Sequence, residues 1–174
     1  MDNEVGKLSV PAQQDLQTAF RDVMAAVCTP VSVVTAMAGD HPHGTTVSAF
    51  ASLSMNPPMV LVSLDRASNL LAIARDTRLF GLNVLSSDQS ALAANFTRKG
   101  ESKFAGIEWE TVAGVPQLPG VCGFVACEVT ELVNGGDHVV LLGHVQAAEP
   151  AGGRPLTYHA RVFGTHSALQ EAST

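Results

Sequence analysis

Hydroxyl side chains and a glycine interrupt an otherwise apolar segment between His41 and Ser54. On a strand, hydroxyl groups beside exposed backbone N–H groups suit a phosphate or the polar edge of a ring-shaped ligand. The same composition is also typical of a half-exposed strand whose threonines and serines face water. The segment is therefore a candidate ligand-binding strand, and both interpretations stay open at this point.

Two further segments carry groups that suit an anion. In Ser63–Asn69 a predicted strand ends in a polar loop before a helix, and the first N–H groups of a helix commonly bind anions. Such a loop is also an ordinary helix cap. In Asn95–Lys99, followed by Lys103 and Phe104, cations and aromatic rings suit a phosphate and a stacked ring, or form a solvated helix end.

Histidines near glycine-rich turns are another kind of candidate. Gly135–His138 places a histidine after two glycines and an aspartate, where little side-chain cover would leave the imidazole facing a ligand. A lone histidine is more often a surface or structural residue, so both interpretations of His138 stay open. His41 and His43 have a spacing that suits a metal on a strand, but no third ligand clusters nearby. The sequence predicts no metal site.

The apolar periodicity predicts a mainly β protein. Helical spacing from Asp15 predicts an amphipathic helix that ends before Pro30, and Gly100–Gly120 is predicted as a loop. Two short helices are predicted at 69–75, capped by Ser68, and from a cap at Ser87 or Asp88 to Asn95. Strands are predicted at Val31–Met37, Thr45–Leu53, Met59–Leu64, Leu79–Leu85, Gly123–Val133, His138–Ala147 and Leu156–Phe163. Short connections between about seven strands predict an antiparallel barrel with two or three peripheral helices.

Composition limits the partners of this barrel. The 174 residues predict one domain, and only 15% of them are charged, against ~25% in an ordinary soluble domain. So few charges leave apolar surface to be covered, which predicts a homodimer. A net charge of −6 with scattered cations argues against nucleic-acid binding.

The sequence also bears on compartment. The longest stretch without Asp, Glu, Lys or Arg, His41–Leu64, is interrupted by proline, serine and asparagine, so no membrane span is predicted. The three cysteines contain no CxxC pair, and the N-terminus lacks the apolar core of a signal peptide. We therefore expect a cytoplasmic protein.

Eight short motifs occur in an order that resembles the short-chain flavin reductases, the reductase components of two-component flavin-dependent monooxygenases. The resemblance extends from about Phe20 to Phe163. The motifs are Val31–Thr35, Gly44–Phe50, Ser54–Pro58, Phe80–Leu85, Asn95–Phe96, Lys103–Ile107, Gly136–His138 and Pro155–His159. The resemblance implies an FMN-binding split β-barrel, with the flavin near the interface of a homodimer. This agrees with the antiparallel barrel and the low charge content, which the residues predict independently.

The resemblance also implies which residues contact ligands. His138 would be the catalytic residue on the nicotinamide side, with Tyr158 and His159 nearby. The flavin contacts would come from Pro42, His43, Gly44, Thr45, Thr46, Ser48, Ala49, Ser63, Leu64, Asp65, Ser68, Asn69, Asn95 and Phe96. Thr45 departs from many relatives, which carry a large apolar residue directly after the glycine.

The implied reaction is hydride transfer from NADH or NADPH to FMN or FAD, which supplies reduced flavin to a partner monooxygenase. The cofactors carry this chemistry, so the chain needs no nucleophile or acid–base pair. Two alternatives remain. One is a non-catalytic flavin-binding or electron-transfer module, and the other is a split-barrel enzyme similar to pyridoxine-phosphate oxidases. The predicted domain is 13–166, between a loose segment 1–12 and a polar tail 167–174.

Overall fold

The computed structural model describes residues 13–100 and 102–169, so the predicted loose segment 1–12 and the last five residues lie outside it. The helices of this described part are α1 (Gln13–Ala25), α2 (Asn69–Thr77) and α3 (Ser90–Thr97), with a 3₁₀ turn at Ser102–Phe104. Its strands are β1 (Thr29–Pro30), β2 (Ser32–Ala38), β3 (His41–Val47), β4 (Phe50–Met55), β5 (Pro58–Asp65), β6 (Leu79–Val84), β7 (Glu110–Val112), β8 (Val115–Gln117), β9 (Gly123–Gly135), β10 (His138–Pro150), β11 (Leu156–His159) and β12 (Val162–Thr165).

Seven strands form one antiparallel sheet in the order β3–β2–β6–β9–β10–β5–β4. Its two edge strands, β3 and β4, follow each other in the chain and are joined only by Ser48 and Ala49. The Ser63 N–H on β5 donates to the Ala49 carbonyl oxygen at 2.9 Å. The sheet therefore curves until its edges meet at this corner, which we call the 48–49 corner. The antiparallel split barrel predicted from the sequence is confirmed.

Strand β2 is buried on both faces and separates two apolar clusters. Val34 and Ala36 point into the first cluster, which lies inside the curved sheet and under α2. Val31 and Val33 alternate to the second cluster, which includes Phe96 of α3. This two-sided burial explains why apolar residues do not simply alternate with polar ones in this strand, where even Ser32 and Thr35 are buried.

A small sheet outside the barrel holds the ends of the described chain. It has the order β1–β11–β12, and α1 contacts it through an Arg161–Asp22 ion pair at 2.9 Å. The predicted single strand Leu156–Phe163 is wrong, because the chain reverses at Ala160 and Arg161, with φ of 48° and 64°. Neither residue is a glycine or asparagine, the usual sequence signal for such a turn.

Two other strand predictions need correction. The predicted strand Thr45–Leu53 is divided by the 48–49 corner into β3 and β4. The predicted loop Gly100–Gly120 contains the hairpin β7–β8, which turns at Ala113 and Gly114 with φ of 47° and 84°. Alternation of apolar residues alone does not locate a corner within a strand or a three-residue strand.

Helix α2 begins at Asn69 with Ser68 as its N-cap residue, as predicted, although the Ser68 side chain makes no capping hydrogen bond. The start of α3 differs from the predicted cap at Ser87 or Asp88. Helix α3 begins after Gln89, whose side-chain oxygen accepts the Ser86 N–H at 3.0 Å, while Asp88 bonds the Ser86 hydroxyl. In the described part of the chain, no helix is long and apolar enough to cross a membrane.

Candidate functional site

A cavity of about 520 Å³ opens where β3 begins, α2 begins and α3 ends. We call it the main cavity. Its walls come from three separate parts of the chain, which the barrel brings together. Its lining residues are Pro42, His43, Gly44, Thr45, Asp65, Ala67, Ser68, Asn69, Leu70, Thr97, Arg98, Lys99, Gly100, Lys103 and Phe104.

The β3 wall requires a glycine. A Cβ atom placed on Gly44 would lie 2.7 Å from Cε1 of Phe96 and 3.2 Å from Cε2 of Phe104. Thr45 faces the main cavity, whereas the next hydroxyl, that of Thr46, donates to the Ala93 carbonyl oxygen at 2.6 Å. On β3, the Thr45 side chain therefore faces the cavity, and the Thr46 side chain holds α3 against the strand.

The α2 wall combines a carboxylate, a hydroxyl and a helix start. The Asp65 side chain accepts the Ala67 N–H at 2.7 Å, and its carbonyl oxygen accepts the Ser68 N–H at 3.0 Å. Because the Ser68 hydroxyl makes no capping bond, it is available to a ligand, together with the Asn69 amide beside it. The positive end of the helix dipole favours an anion at this wall.

The third wall comes from residues 95–100 and 102–104, which we call the strap. The Lys103 ammonium donates to the carbonyl oxygens of Gly44 and Phe96, at 3.0 Å each. The Asn95 side-chain amide donates to the Lys103 carbonyl oxygen at 2.6 Å. Partial burial lowers the pKa of Lys103. An ammonium group has three N–H donors, so one bonds β3, one bonds the end of α3 within the strap, and the third is available to a ligand.

Charge is concentrated at the main cavity. Arg98, Lys99 and Lys103 line it, out of ten Lys and Arg residues in the whole chain. Asp65 is the one acidic side chain among its described lining residues. In a chain of net charge −6, this local excess of cations favours an anionic ligand, and a phosphate is a group that such donors bind well.

The β9–β10 hairpin lies against the edge of the main cavity. His138 is the Cα partner of Asp65, and the Arg66 side chain donates to the Gly136 carbonyl oxygen at 2.7 Å. The Nδ1 atom of His138 lies 2.8 Å from an Asp137 carboxylate oxygen, and this hydrogen bond is the main cause that lowers the pKa of Asp137. Half-exposed His138 therefore sits next to a cavity wall without lining the cavity itself.

Several residues that the resemblance implied as flavin contacts lie beyond the main cavity. Ser48 and Ala49 are exposed at the 48–49 corner, next to Ser63. Leu64 and Phe96 have buried side chains, at 2% and 0% exposure. Leu64 can therefore offer a ligand only its backbone, and the Phe96 ring supports Gly44 from behind.

Tyr158 and His159 are not brought to the main cavity by a single chain. They lie on β11, where Tyr158 pairs with Thr29, just before the start of β2. The cavity residue His43 pairs with Ala36, near the other end of β2. The length of β2 separates these two groups of residues.

Sequence reasoning also missed part of the lining. Its third candidate segment includes the cations of the strap, and the structure places them in the cavity wall. No signal in the sequence distinguishes Ala67, Leu70 and Gly100, because their contribution depends on where the backbone passes. Thr97 resembles any hydroxyl residue at a helix end.

The residues present fit a flavin nucleotide. Cationic and hydroxyl groups in the main cavity suit its phosphate, and the Cβ-free surface of Gly44 admits a ligand close to the backbone. The hydroxyl groups of Ser48 and Ser63 and the N–H groups of the exposed 48–49 corner suit the polar edge of its ring. Fold and site together define a nucleotide-binding split barrel of the flavin-binding kind.

Comparison with known proteins identifies the family. Residues 24–167 match the flavin reductase like domain, and the chain belongs to this family. It is 37% identical over 150 residues to the FMN reductase (NADH) SmoA of Agrobacterium fabrum, which covers 86% of each chain.

Two solved structures are similar over nearly their full length. A nitrilotriacetate monooxygenase component B homologue from Mycobacterium thermoresistibile has a TM-score of 0.87 and 28% identity, covering 94% of both chains. The NADH:FAD oxidoreductase SgcE6 of Streptomyces globisporus, solved with NAD and FAD fragments, has a TM-score of 0.83 and 25% identity. That match covers 91% of this chain and 98% of the other.

Proposed function

We propose that the protein is an NAD(P)H-dependent flavin reductase, which transfers hydride to FMN or FAD and supplies the reduced flavin to a monooxygenase. The observation that carries this proposal is the main cavity, where three cations and free hydroxyls lie beside the 48–49 corner of a flavin-reductase-like barrel. Relatives named as an NADH-dependent FMN reductase and as a monooxygenase component support the reaction and the partner class.

When bound, nicotinamide and flavin together supply the hydride donor and acceptor, so the chain has to bind, orient and shield them. We infer that the strap cations, Ser68 and Asn69 hold the flavin phosphate. The hydroxyl groups of Ser48 and Ser63, together with the Ser48 N–H, hold the polar edge of the ring. Donors at that edge would stabilise negative charge that develops on the ring during reduction.

We place the nicotinamide on the His138 side. The Asp137 carboxylate fixes the imidazole through Nδ1, which leaves Nε2 directed away from that bond and available to the dinucleotide. Tyr158 and His159 would contact the nicotinamide only if a second copy of the chain brought them to this site. A pyridoxine-phosphate oxidase would need cations for the phosphate of its substrate. In this chain we assign the strap cations to the flavin phosphate.

The test is a grid of NADH or NADPH against FMN or FAD, with oxidation of the nicotinamide followed under anaerobic conditions. We expect one flavin molecule to be reduced, and its absorbance bleached, for each NAD(P)H molecule oxidised. Flavin binding without NAD(P)H oxidation would indicate a non-catalytic flavin module. In a separate aerobic assay, oxidation of pyridoxine 5′-phosphate with O₂ as the electron acceptor, without reduction of free flavin by NAD(P)H, would indicate the related oxidase.

We also propose a homodimer in the cytoplasm. Apolar side chains of α1 and of the β11–β12 hairpin are exposed in the single chain, among them Phe20 at 62% and Val162 at 66%. A helix of 13 residues is marginal in water by itself, so a second subunit that covers α1 would stabilise it. Light scattering at micromolar concentration should give twice the mass of 18.1 kDa, and a monomer mass would contradict the proposal.

Three free cysteines support the cytoplasm, a reducing compartment, as the location of the protein.

A further inference from the structure

A second, smaller cleft adjoins the main cavity. It has a volume of about 270 Å³ and lies at the β2–β3 turn. Pro42, His43 and Phe104 line both spaces, so the two are continuous. Ala38 and His41 complete the lining of the smaller cleft. Pro42 and His43 are among the proposed flavin contacts, whereas Ala38 and His41 are not, so the proposed flavin contacts leave the far side of the cleft unused.

Flat side chains surround this cleft. The Phe104 ring is held by edge-to-face contacts with Phe96 and Trp109, with ring centroids at 5.0 Å and 6.2 Å. It therefore presents a fixed aromatic surface. The two imidazoles and the Pro42 ring lie around it, and none of the described lining residues is an acid, lysine or arginine. A neutral cleft with stacking surfaces suits a nucleobase rather than a phosphate or a charged peptide.

The position along β3 indicates which nucleobase. The proposed flavin ring lies at the 48–49 corner, the proposed phosphate lies beside Gly44, where Lys103 is bonded, and the cleft lies at His41. At roughly 3.3 Å per strand residue, His41 is ~20 Å from Val47, the last residue of β3, so the cleft and the 48–49 corner lie at opposite ends of this strand. A flavin that enters in this direction has its phosphate between its ring and the cleft. Any group attached to that phosphate would extend toward the cleft.

We propose that this cleft is a subsite for the adenine ring of FAD. The proposal rests on the proposed function, because it uses the direction of the flavin along β3. FMN occupies the main cavity and the 48–49 corner, and FAD adds its adenosine part in the cleft, where the base stacks on Phe104 and the imidazoles. The strap cations then lie beside the pyrophosphate. The subsite gives the enzyme a means to bind FAD in preference to FMN.

His41→Ala is the discriminating variant, since His41 is exposed and lines the cleft without lining the main cavity. We expect the KM for FAD to rise about fivefold, because aromatic stacking on a base contributes ~1–3 kcal/mol. The KM for FMN should not change. His41→Phe should restore the KM for FAD, since it restores a stacking surface. His166→Ala, an exposed histidine in the chain after β12, is the control and should change neither value.

Three results would overturn the proposal. One is an unchanged KM for FAD in His41→Ala. The second is an equal rise for FAD and FMN, which would show a general effect on flavin binding. The third is a rise in the KM for NADH with FMN as acceptor, which would assign the cleft to the adenine of the hydride donor. A wild-type protein that reduces neither flavin would instead contradict the proposed function.

Discussion

Gly44→Ala tests whether the close approach of β3 and the strap is needed for both stability and ligand binding. The added Cβ would lie 2.7 Å and 2.9 Å from two atoms of the Phe96 ring. Contacts under 3.0 Å force a displacement, and the Phe96 ring is 0% exposed within the second apolar cluster. The backbone of β3 or the whole strap must therefore move. Either movement disturbs the hydrogen bond from Lys103 to the Gly44 carbonyl oxygen.

The expected cost is ~1–3 kcal/mol of the free energy of unfolding, as for other overpacked core positions. In a protein of this size, each kcal/mol lowers Tm by roughly 2–4 °C. Because the strap carries the cations of the main cavity, the affinity for FMN should fall as well. We expect the decrease in affinity even at temperatures where the variant is fully folded.

Thermal unfolding and FMN titration measure the two effects. Gly164→Ala is the matched control, because its Cβ would meet no atom closer than 3.6 Å, and its stability should be unchanged or slightly higher. In the double variant Gly44→Ala/Phe96→Leu, removal of the ring should recover part of the lost stability. A Gly44→Ala protein with unchanged Tm and unchanged FMN affinity would refute the close contact. If the stability losses of the two single variants simply add in the double variant, the Phe96 ring is not the cause of the destabilisation.

Three further variants test the proposed ligand contacts. His138→Ala should keep flavin affinity and lower kcat/KM for NAD(P)H roughly tenfold, worth ~1.4 kcal/mol, and unchanged stopped-flow hydride transfer would assign His138 a structural role. Lys99→Ala should raise the KM for FMN several-fold but not that for riboflavin, which lacks the phosphate, and equal effects on both would argue against a phosphate contact. Ser48→Leu should weaken binding of both flavins because it blocks the ring's polar edge, and a titration curve matching the parent would contradict this position for the ring.

The barrel was predictable because its strands carry strong local signals. The antiparallel hairpin β9–β10 turns at Gly136, with φ of 66°, and Asp137, the turn residues that the sequence displays. The turns at Ala160 and Ala113 were not predictable in this way, because alanine rarely adopts positive φ and the surrounding contacts impose the conformation. Local preference identifies a turn only where the residues themselves favour it.

Individual residues of the site were predictable from the sequence, but the way the fold brings these residues together was not. Gly44 and Ser68 stand out in the sequence by residue type, and both line the main cavity. The approach of the strap to β3 depends on Lys103 bonding a carbonyl oxygen 59 residues away in the chain. The position of Tyr158 depends on a hairpin and on pairing with β1, which no local pattern reveals.

The edge strand β4 has a consequence for handling the protein. It pairs only with β5 among the described strands, so one row of its N–H and C=O groups has no strand partner, and Ala51, Leu53 and Met55 are exposed along it. The sequence places no charged residue between His41 and Leu64, so this edge lacks the lysines and inward charges that usually prevent strands of separate molecules from pairing. The protein should therefore aggregate through β4 at high concentration, and Leu53→Lys should slow that aggregation.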